Sequence, residues 1–137
     1  MFPTGGVLVD SNVIFDYLSQ DEEWFDWSAA MLAAAAEAGA IVINPVIYSE
    51  VSVRFARIED VDLVLPADYF VRSPIPWAAS FLAAKCFAQY KRRGGTRSGT
   101  LPDFYIGAHA AVSGLALLTR DARRYRQYFP KLRIIAP

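Results

Sequence analysis

The amino-acid sequence predicts an α/β protein, a three-layer α/β/α sandwich with a central parallel sheet. Short runs of β-branched and aliphatic residues recur along the chain, at GVLVD, AIVIN, LALLT and LRIIAP. Segments with apolar residues at helical spacing separate these runs. Strands that alternate with helices typically form a parallel sheet covered on both faces.

The first half of the chain supplies two of these strands. GVLVD predicts a first buried strand that ends at Asp10, and SNVIFDYLSQ predicts the helix after it. Asp21, followed by two glutamates, has the pattern of a second helix start, and that helix is expected to end at Gly39. AIVIN predicts the second strand, and proline in the first turn suits a following helix, PVIYSEVSVRFA.

The second half is less regular at its start. VDLVLP is expected as a short strand or an extended loop, whereas ADYFVRSP indicates no single structure. Clearer patterns follow, and they predict a helix from Pro76 to the glycines at 94–95, a helix from Thr100 through Ser113, the strand LALLT, the short helix DARRYRQYF and the last strand LRIIAP.

Length and composition favour one domain spanning residues 1–137. The chain is 54% hydrophobic, enough for one well-filled core. Cys86 is the only cysteine, which excludes an internal disulfide and a cysteine metal cluster and favours a cytoplasmic protein. The beginning of the chain lacks the pattern of a signal peptide, and the longest alanine-rich run is too short for a membrane helix, so we expect no contact with a membrane.

The net charge of zero conceals a division between the two parts of the chain. Residues 1–84 contain twelve acidic residues and three arginines, whereas residues 85–137 contain eleven lysines and arginines and two aspartates. This asymmetry suggests a basic face that could bind phosphates. The same numbers of charged residues would result if the acidic and basic residues lay on ordinary solvated faces and were separated only along the sequence.

Four acids are expected at one edge of the sheet, where strand carboxyl ends and helix starts meet. Asp10 follows the first strand, Glu50 lies early in the helix after the second strand, Asp103 begins the helix before LALLT, and Asp121 lies just after that strand. Carboxylates that converge repel each other unless a cation neutralises them. Oxygen ligands without cysteine or histidine suit Mg²⁺ or Mn²⁺, as one ion or two.

Each acid also has a purely structural interpretation. Asp10 and Asp121 could be helix N-caps, and Glu50 could be a solvated helix residue. Asp103 could complete a capping box with Thr100, although its helix face is the apolar one, which favours an inward direction. His109, the only histidine, lies about 120° from Asp103 around the helix and is predicted to be a structural or surface residue.

The segments VLVDSN, PVIYSEV, LPDFYIGAHA and LLTRD occur in the order and context of the PIN-domain ribonucleases. The chain resembles in particular the VapC toxins of bacterial toxin–antitoxin pairs, over almost its whole length. The resemblance implies a PIN-like fold and an acidic quartet, Asp10, Glu50, Asp103 and Asp121, that holds Mg²⁺ or Mn²⁺. It matches Asn12 and Thr119 to polar residues that orient the ligands or the water by hydrogen bonds.

The resemblance also implies partners. Family members cut RNA, often tRNA or rRNA, and a cognate antitoxin blocks their site; a homodimer is expected as well. For RNA contact the chain offers the loop KRRGGTRSG and the arginines beside Asp121. The predicted RNA-binding residues are Lys91, Arg92, Arg93, Arg97 and Arg120, with Arg123 and Arg124 as an extension. Cations at a solvated helix end are the structural alternative. The aromatic segment WFDW could belong to an antitoxin groove, a dimer surface or the core.

Three other functions stay open at this point. A PIN nuclease of RNA processing would need no antitoxin. An aspartate-nucleophile phosphohydrolase, with Asp10 phosphorylated, usually needs a second acid two residues later, where this chain has Asn12. A non-catalytic RNA- or protein-binding module would keep the basic loop but would not need all four acids.

Overall fold

A five-stranded parallel sheet forms the centre of the protein in the computed structural model, which describes residues 2–99 and 101–137. The strands in chain order are β1 (Val7–Val9), β2 (Ile41–Ile43), β3 (Phe70–Arg72), β4 (Ala116–Leu118) and β5 (Ile134–Ile135). Across the sheet they lie in the order β3-β2-β1-β4-β5, and every neighbouring pair is parallel. The predicted three-layer α/β/α class is confirmed.

Helices connect these strands in the described part of the chain. They are α1 (Ser11–Leu18), α2 (Phe25–Ala38), α3 (Pro45–Ser52), α4 (Ile58–Val64), α5 (Trp77–Arg92), α6 (Pro102–Ser113) and α7 (Arg123–Tyr128). The three inner strands are buried at every residue, as expected for strands covered on both faces. No helix among the described residues is long and apolar enough to span a membrane.

The chain reverses its direction of travel across the sheet at β1. From β1 it moves outward to β2 and β3, and then it returns to the other side of β1 to form β4 and β5. The carboxyl ends of β1 and β4 therefore lie side by side, with their helices leaving to different sides. Such a switch point opens a crevice in which parallel α/β proteins bind ligands.

The structure corrects the sequence prediction for residues 58–72. VDLVLP is neither strand nor loop, because helix α4 begins at Ile58 and includes most of it. Glu59 and Asp60 lie in the first turn, where carboxylates stabilise a helix. The unassigned segment that follows contains the edge strand β3, which pairs with β2.

Helix α6 begins later than the sequence predicts. Its first residue is Pro102, and its N-cap is Leu101, whose side chain makes no capping hydrogen bond. The predicted start at Thr100 lies outside the described residues. Proline fixes its backbone in a helical conformation and needs no N–H partner at this position, so a start at Pro102 does not require Asp103 as a cap.

Gly107 allows α6 to pack closely against the aromatic residue that follows α7. A Cβ at position 107 would lie 2.3 Å from Cε2 of Phe129, a side chain that is only 5% exposed. The closeness of these two elements matters because α6 carries Asp103 and the turn before α7 carries Asp121.

We expect Gly107→Ala to destabilise the protein. Helix propensity alone predicts a gain of about 1 kcal/mol, but overpacking a buried contact typically costs about 1–3 kcal/mol. At a distance of 2.3 Å from a buried ring the steric effect should prevail, with a net loss of about 1–2 kcal/mol. Urea denaturation measures the change in the free energy of unfolding. Ala111→Gly, at an exposed position of the same helix, measures the effect of helix propensity alone. A Gly107→Ala protein that is more stable than the unmodified one would contradict the role of the close packing.

Candidate active site

Asp10 lies at the switch point, directly after β1, and is only 5% exposed. It is the N-cap of α1, and its Oδ1 accepts a hydrogen bond of 2.8 Å from the backbone N–H of Ser11. Its Oδ2 accepts hydrogen bonds of 2.9 Å from the hydroxyls of Thr119 and Tyr125. Three donors thus fix the orientation of this buried carboxylate, and the capping interpretation accounts for only one of them.

Tyr125 connects Asp10 with Asp103. Its hydroxyl lies 2.9 Å from Oδ2 of Asp10 and 3.3 Å from Oδ1 of Asp103. Burial, first of all, raises the pKa of Tyr125 well above its ordinary value, so the phenol keeps the single proton that it can donate. Asp103, in the first turn of α6, is held toward Asp10 by this shared donor.

Glu50 reaches the same place from α3. It is half-buried, and its Oε1 accepts a hydrogen bond of 3.0 Å from the hydroxyl of Ser11. Ser11 therefore bonds to both acids, through its backbone N–H to Asp10 and through its side chain to Glu50. The interpretation of Glu50 as a freely solvated helix residue does not agree with this contact.

Asp121 is the most exposed of the four acids and lies in the turn between β4 and α7. Its backbone N–H donates to the Thr119 hydroxyl at 3.2 Å, and its Oδ1 accepts from the backbone N–H of Arg123 at 3.3 Å. On the first turn of α7, Nη1 of Arg124 lies 3.6 Å from Oδ2 of Asp103.

All four predicted acids line one cleft of about 420 Å³. The other lining residues are Ser11, Asn12, Arg123, Arg124 and Gln127. The carboxylates occupy its wall beside the switch point, and residues of α7 form another part of the lining. The structure therefore brings together the acids that sequence position alone placed at this edge.

Negative charge is poorly compensated in this cleft. Burial is the main cause that raises the pKa of Asp10, of Glu50 and of Asp103, and repulsion from another acid of the cleft raises each of these pKa values further. The contact of Arg124 with Asp103 lowers the pKa of that carboxyl but does not cancel the effect of burial. A cation in the cleft would remove the repulsion.

The donor set fits a hard divalent cation by its chemistry. The acids offer only carboxylate oxygens, which Mg²⁺ and Mn²⁺ prefer. Within residues 2–99 and 101–137, no three side chains of His, Cys, Asp or Glu lie close enough together to hold a metal ion. Mg²⁺ usually binds through one or two carboxylates and keeps several waters. Asp10 is linked to Asp103 through the Tyr125 hydroxyl and to Glu50 through Ser11, so the cleft offers pairs of neighbouring carboxylates.

The two predicted polar neighbours are part of one hydrogen-bond network. Thr119, fully buried, donates to Asp10 and accepts 3.2 Å bonds from Nδ2 of Asn12 and from the backbone N–H of Asp121. Oδ1 of Asn12 accepts in turn from the backbone N–H of Arg120 at 3.1 Å. The network ties the turn after β4 to the beginning of α1.

The predicted RNA-binding residues fall into two groups. Lys91, Arg92, Arg93 and Arg97 are exposed at the end of α5 and in the loop after it. Arg120 differs, because its Nε donates to Oδ2 of Asp16 at 2.8 Å and its guanidinium lies over the ring of Trp24. Asp16 is 2% exposed, so Arg120 neutralises a buried charge, and its contact with RNA stays a prediction.

His109 lies away from the acids, as the helix geometry predicts. It is fully buried, its Nδ1 lies 3.0 Å from Nδ2 of Asn44, and its Nε2 lies 3.5 Å from the hydroxyl of Ser73. Burial lowers its pKa, which favours the neutral ring. His109 does not line the acidic cleft.

Three contributors to the site were not identified from the sequence. They are Tyr125, Ser11 and Gln127. The buried Asp16, which binds Arg120 just outside the cleft, was not identified either. Tyr125 is four residues after Asp121 and four before Phe129, a spacing that places it on the buried face of α7. A tyrosine on a buried face close to predicted acids is a signal that could have indicated its role, since buried phenols seek a hydrogen-bond partner.

Fold and site together define a class: a parallel α/β sandwich with a cleft of carboxylates at the switch point of its sheet. A family model described as the PIN domain matches residues 7–130. The chain therefore belongs to the PIN domain family, which is generally a family of nucleases.

Solved structures agree with this assignment of the fold. The chain is similar to a chain of VapBC2 from Rickettsia felis bound to a promoter DNA fragment, with 14% identity, 96% of this chain and 98% of that chain covered, and a TM-score of 0.71. A toxin–antitoxin complex from Klebsiella pneumoniae gives 21% identity, coverages of 94% and 95%, and a TM-score of 0.66. For the PIN domain endonuclease Utp24 the identity is 18%, 96% of this chain and 84% of that chain are covered, and the TM-score is 0.54. Curated protein sequences give no match.

We expect Asp103→Asn to stabilise the protein at neutral pH in the absence of divalent cations. The pKa of Asp103 is raised in the folded protein, so the stability linked to its protonated form is present at low pH and is lost as the pH rises through that value. Its side chain is 36% exposed; allowing for screening, the gain should be about 0.5–1 kcal/mol.

Thermal unfolding at pH 7 and near pH 3, with the exposed Asp68→Asn as control, measures this effect. The gain should shrink at the lower pH, where Asp103 is protonated before and after unfolding. A loss of stability at pH 7 would mean that contacts with Arg124 and Tyr125 outweigh the repulsion.

Proposed function

We propose that the protein is a Mg²⁺- or Mn²⁺-dependent endoribonuclease that acts as the toxin of a toxin–antitoxin pair. The observation that carries the proposal is the convergence of Asp10, Glu50, Asp103 and Asp121 on one cleft at the switch point of the sheet. Membership of the PIN domain family supports a nuclease. Structural similarity to toxin–antitoxin complexes supports the biological role.

Of the four acids, Asp10 would be the fixed ligand; one further acid of the cleft would bind the cation directly, and the others would act through bound waters. Both lone pairs of Oδ2 of Asp10 are directed to the hydroxyls of Thr119 and Tyr125, and Oδ1 accepts one bond from Ser11. One lone pair of Oδ1 thus stays free to bind an ion. A bound divalent cation activates water for attack on the phosphodiester and stabilises the charge that develops there.

Residues of α7 suit the other side of the substrate. Arg123, Arg124 and Gln127 line the same cleft as the acids, and guanidinium groups bind phosphate oxygens in pairs. Arg124 already lies near Asp103, so a phosphate held by Arg124 would be adjacent to the carboxylates. The exposed cations at 91–93 and 97 extend the basic surface and would bind the RNA backbone without regard to sequence.

The partner assignment rests on similarity and on exposed aromatic surface. Tyr17 is 46% exposed and stacks on Phe25, the first residue of α2, which belongs to the WFDW segment. A cognate antitoxin or a second copy of the chain could cover this surface. A small reading frame immediately upstream of the gene would favour the toxin, whereas a solitary gene would favour a PIN nuclease of RNA processing.

We expect the purified protein to cut mixed cellular RNA with Mg²⁺ or Mn²⁺ and to be inactive in a chelator. Asp103→Asn should lower the rate by roughly 100-fold or more, as for loss of one charged group at the reacting centre. Asp68→Asn, an exposed aspartate outside the cleft, is the matched control.

Gel analysis of the RNA decides between the candidates. Cleavage at full rate in the chelator, or by the Asp103→Asn protein, would reject the mechanism of carboxylates and metal. RNA binding without cleavage in any cation would favour the non-catalytic RNA-binding module, which the basic loop alone would support.

We expect Tyr125→Phe to weaken binding of Mn²⁺ by roughly 10-fold or more, since loss of a hydrogen bond to a metal ligand commonly has an effect of this size. The substitution removes the donor that Asp10 and Asp103 share and keeps the buried ring. Tyr128→Phe, on the same helix and without a hydrogen bond to an acid, is the control. Calorimetric titration without RNA measures the affinity; equal values for the two variants would contradict the role of Tyr125.

A further inference from the structure

A second cleft, of about 260 Å³, adjoins the acidic one. Arg124 and Gln127 line both, so the short helix α7 forms the wall between them. The remaining residues of the second cleft are Tyr90, Arg93, Gly94, Gly95 and Tyr128. The complete lining, with Arg124 included, contains two arginines, two tyrosines and no carboxylate, so its charge is opposite to that of the acids in the first cleft.

Arg93 and Tyr128 form a stacked platform in this cleft. The Arg93 guanidinium carbon lies 5.3 Å from the centre of the Tyr128 ring. That ring in turn packs edge-on against buried Phe104, with ring centres 4.9 Å apart. Contact with Phe104 thus fixes the Tyr128 ring, and Arg93, the exposed C-cap residue of α5, lies over that ring.

Tyr90 holds the loop that forms another part of the lining. Its hydroxyl accepts bonds of 3.2 Å and 3.4 Å from the backbone N–H groups of Thr96 and Arg97. A Cβ at Gly95 would lie 2.2 Å from the Tyr90 ring, so only glycine allows the chain to pass this close. Gly94 has a φ of +89°, which also favours glycine. The loop is therefore shaped by specific contacts.

The chemistry of this cleft suits a nucleotide. A planar guanidinium on an aromatic ring is a surface on which a base can stack, and stacking of this kind tolerates any base. Arg124 stands where the two clefts meet and can pair with a phosphate oxygen. A neutral apolar ligand would not use the charge of either arginine.

We propose that the second cleft is a subsite for one nucleotide of a single-stranded RNA, with its base on the Arg93–Tyr128 platform and its phosphate at Arg124. The proposal deepens the proposed function, on which it rests. The strand would cross α7 from the acidic cleft into the second cleft. The base next to the cleavage position would then be held while the phosphodiester lies beside the carboxylates.

Binding measurements in a chelator test the subsite without cleavage. Two labelled probes of equal length and charge are compared by fluorescence anisotropy, an oligoadenylate and an abasic ribose-phosphate oligomer. The unmodified protein should bind the oligoadenylate roughly 5-fold or more tightly than the abasic probe, which is the lower range for stacking of one base. Arg93→Gln and Arg93→Lys should both reduce this preference, since neither keeps the planar cation.

Arg126→Gln is the matched control, because Arg126 is an exposed arginine of α7 that lines neither cleft. It should weaken both probes equally and leave the preference for bases unchanged. Arg93→Lys separates charge from stacking, since it keeps the charge. An unchanged preference in both Arg93 variants, with unchanged melting temperatures, would overturn the subsite.

The outcome is distinguishable from failure of the proposed function. Metal-dependent cleavage together with an Arg93-independent base preference would keep the nuclease and reject the subsite. A base preference that depends on Arg93, in a protein that cuts no RNA with any cation, would support the subsite and reject the nuclease.

Discussion

The fixation of the Asp10 carboxylate at the end of the central strand is the interaction on which the rest of the site depends. A carboxylate buried to this degree is tolerated only with hydrogen-bond partners, and each of its donors comes from a different element. Ser11 begins α1, Thr119 follows β4, and Tyr125 lies on α7. Satisfying this one charge therefore fixes the relative position of three segments that meet at the switch point.

The second constraint is the repulsion between the acids of the cleft, which opposes their convergence around Asp10. Burial raises the pKa of Asp10, of Glu50 and of Asp103, and repulsion from other acids of the cleft raises these pKa values further. Among the residues that the structure describes, Arg124 is the one cation of the cleft whose side chain contacts these acids, at 3.6 Å from Asp103. By contrast, the buried acid just outside, Asp16, has a full partner in Arg120 and a 2.8 Å bond from Ser28. The chain thus neutralises a structural carboxylate and leaves the cleft acids short of positive charge, a difference typical of functional sites.

Sequence position predicted the acids better than it predicted their surroundings. The strands before Asp10 and Asp121 are continuous apolar runs, which can be recognised in the sequence. Because strands of a parallel sheet end at the same edge, the sequence also predicts that the two acids lie at one edge. VDLVLP was misread because four of its six residues are apolar without clear periodicity, and only the residues before it, with Glu59 and Asp60 in a first turn, identify the helix. Tyr125 and the partner of Arg120 were missed for another reason: both contacts join residues about a hundred positions apart. Spacing can place Tyr125 on the buried face of α7, but neither propensity nor spacing identifies the distant residue that it contacts.

Helix α7 contributes one face to the core and another to the two clefts. Tyr125 and Phe129, four residues apart, face the core; Tyr125 donates to Asp10, and Phe129 packs at Gly107. Arg124 and Gln127, on the exposed side of the same turns, line both clefts. Because one helix of six residues supplies both faces, its orientation cannot change without moving Tyr125, the donor to Asp10, and Arg124 together. The close contact at Gly107, one helical turn after Asp103, therefore helps to set how the carboxylates and the arginines of α7 lie relative to each other.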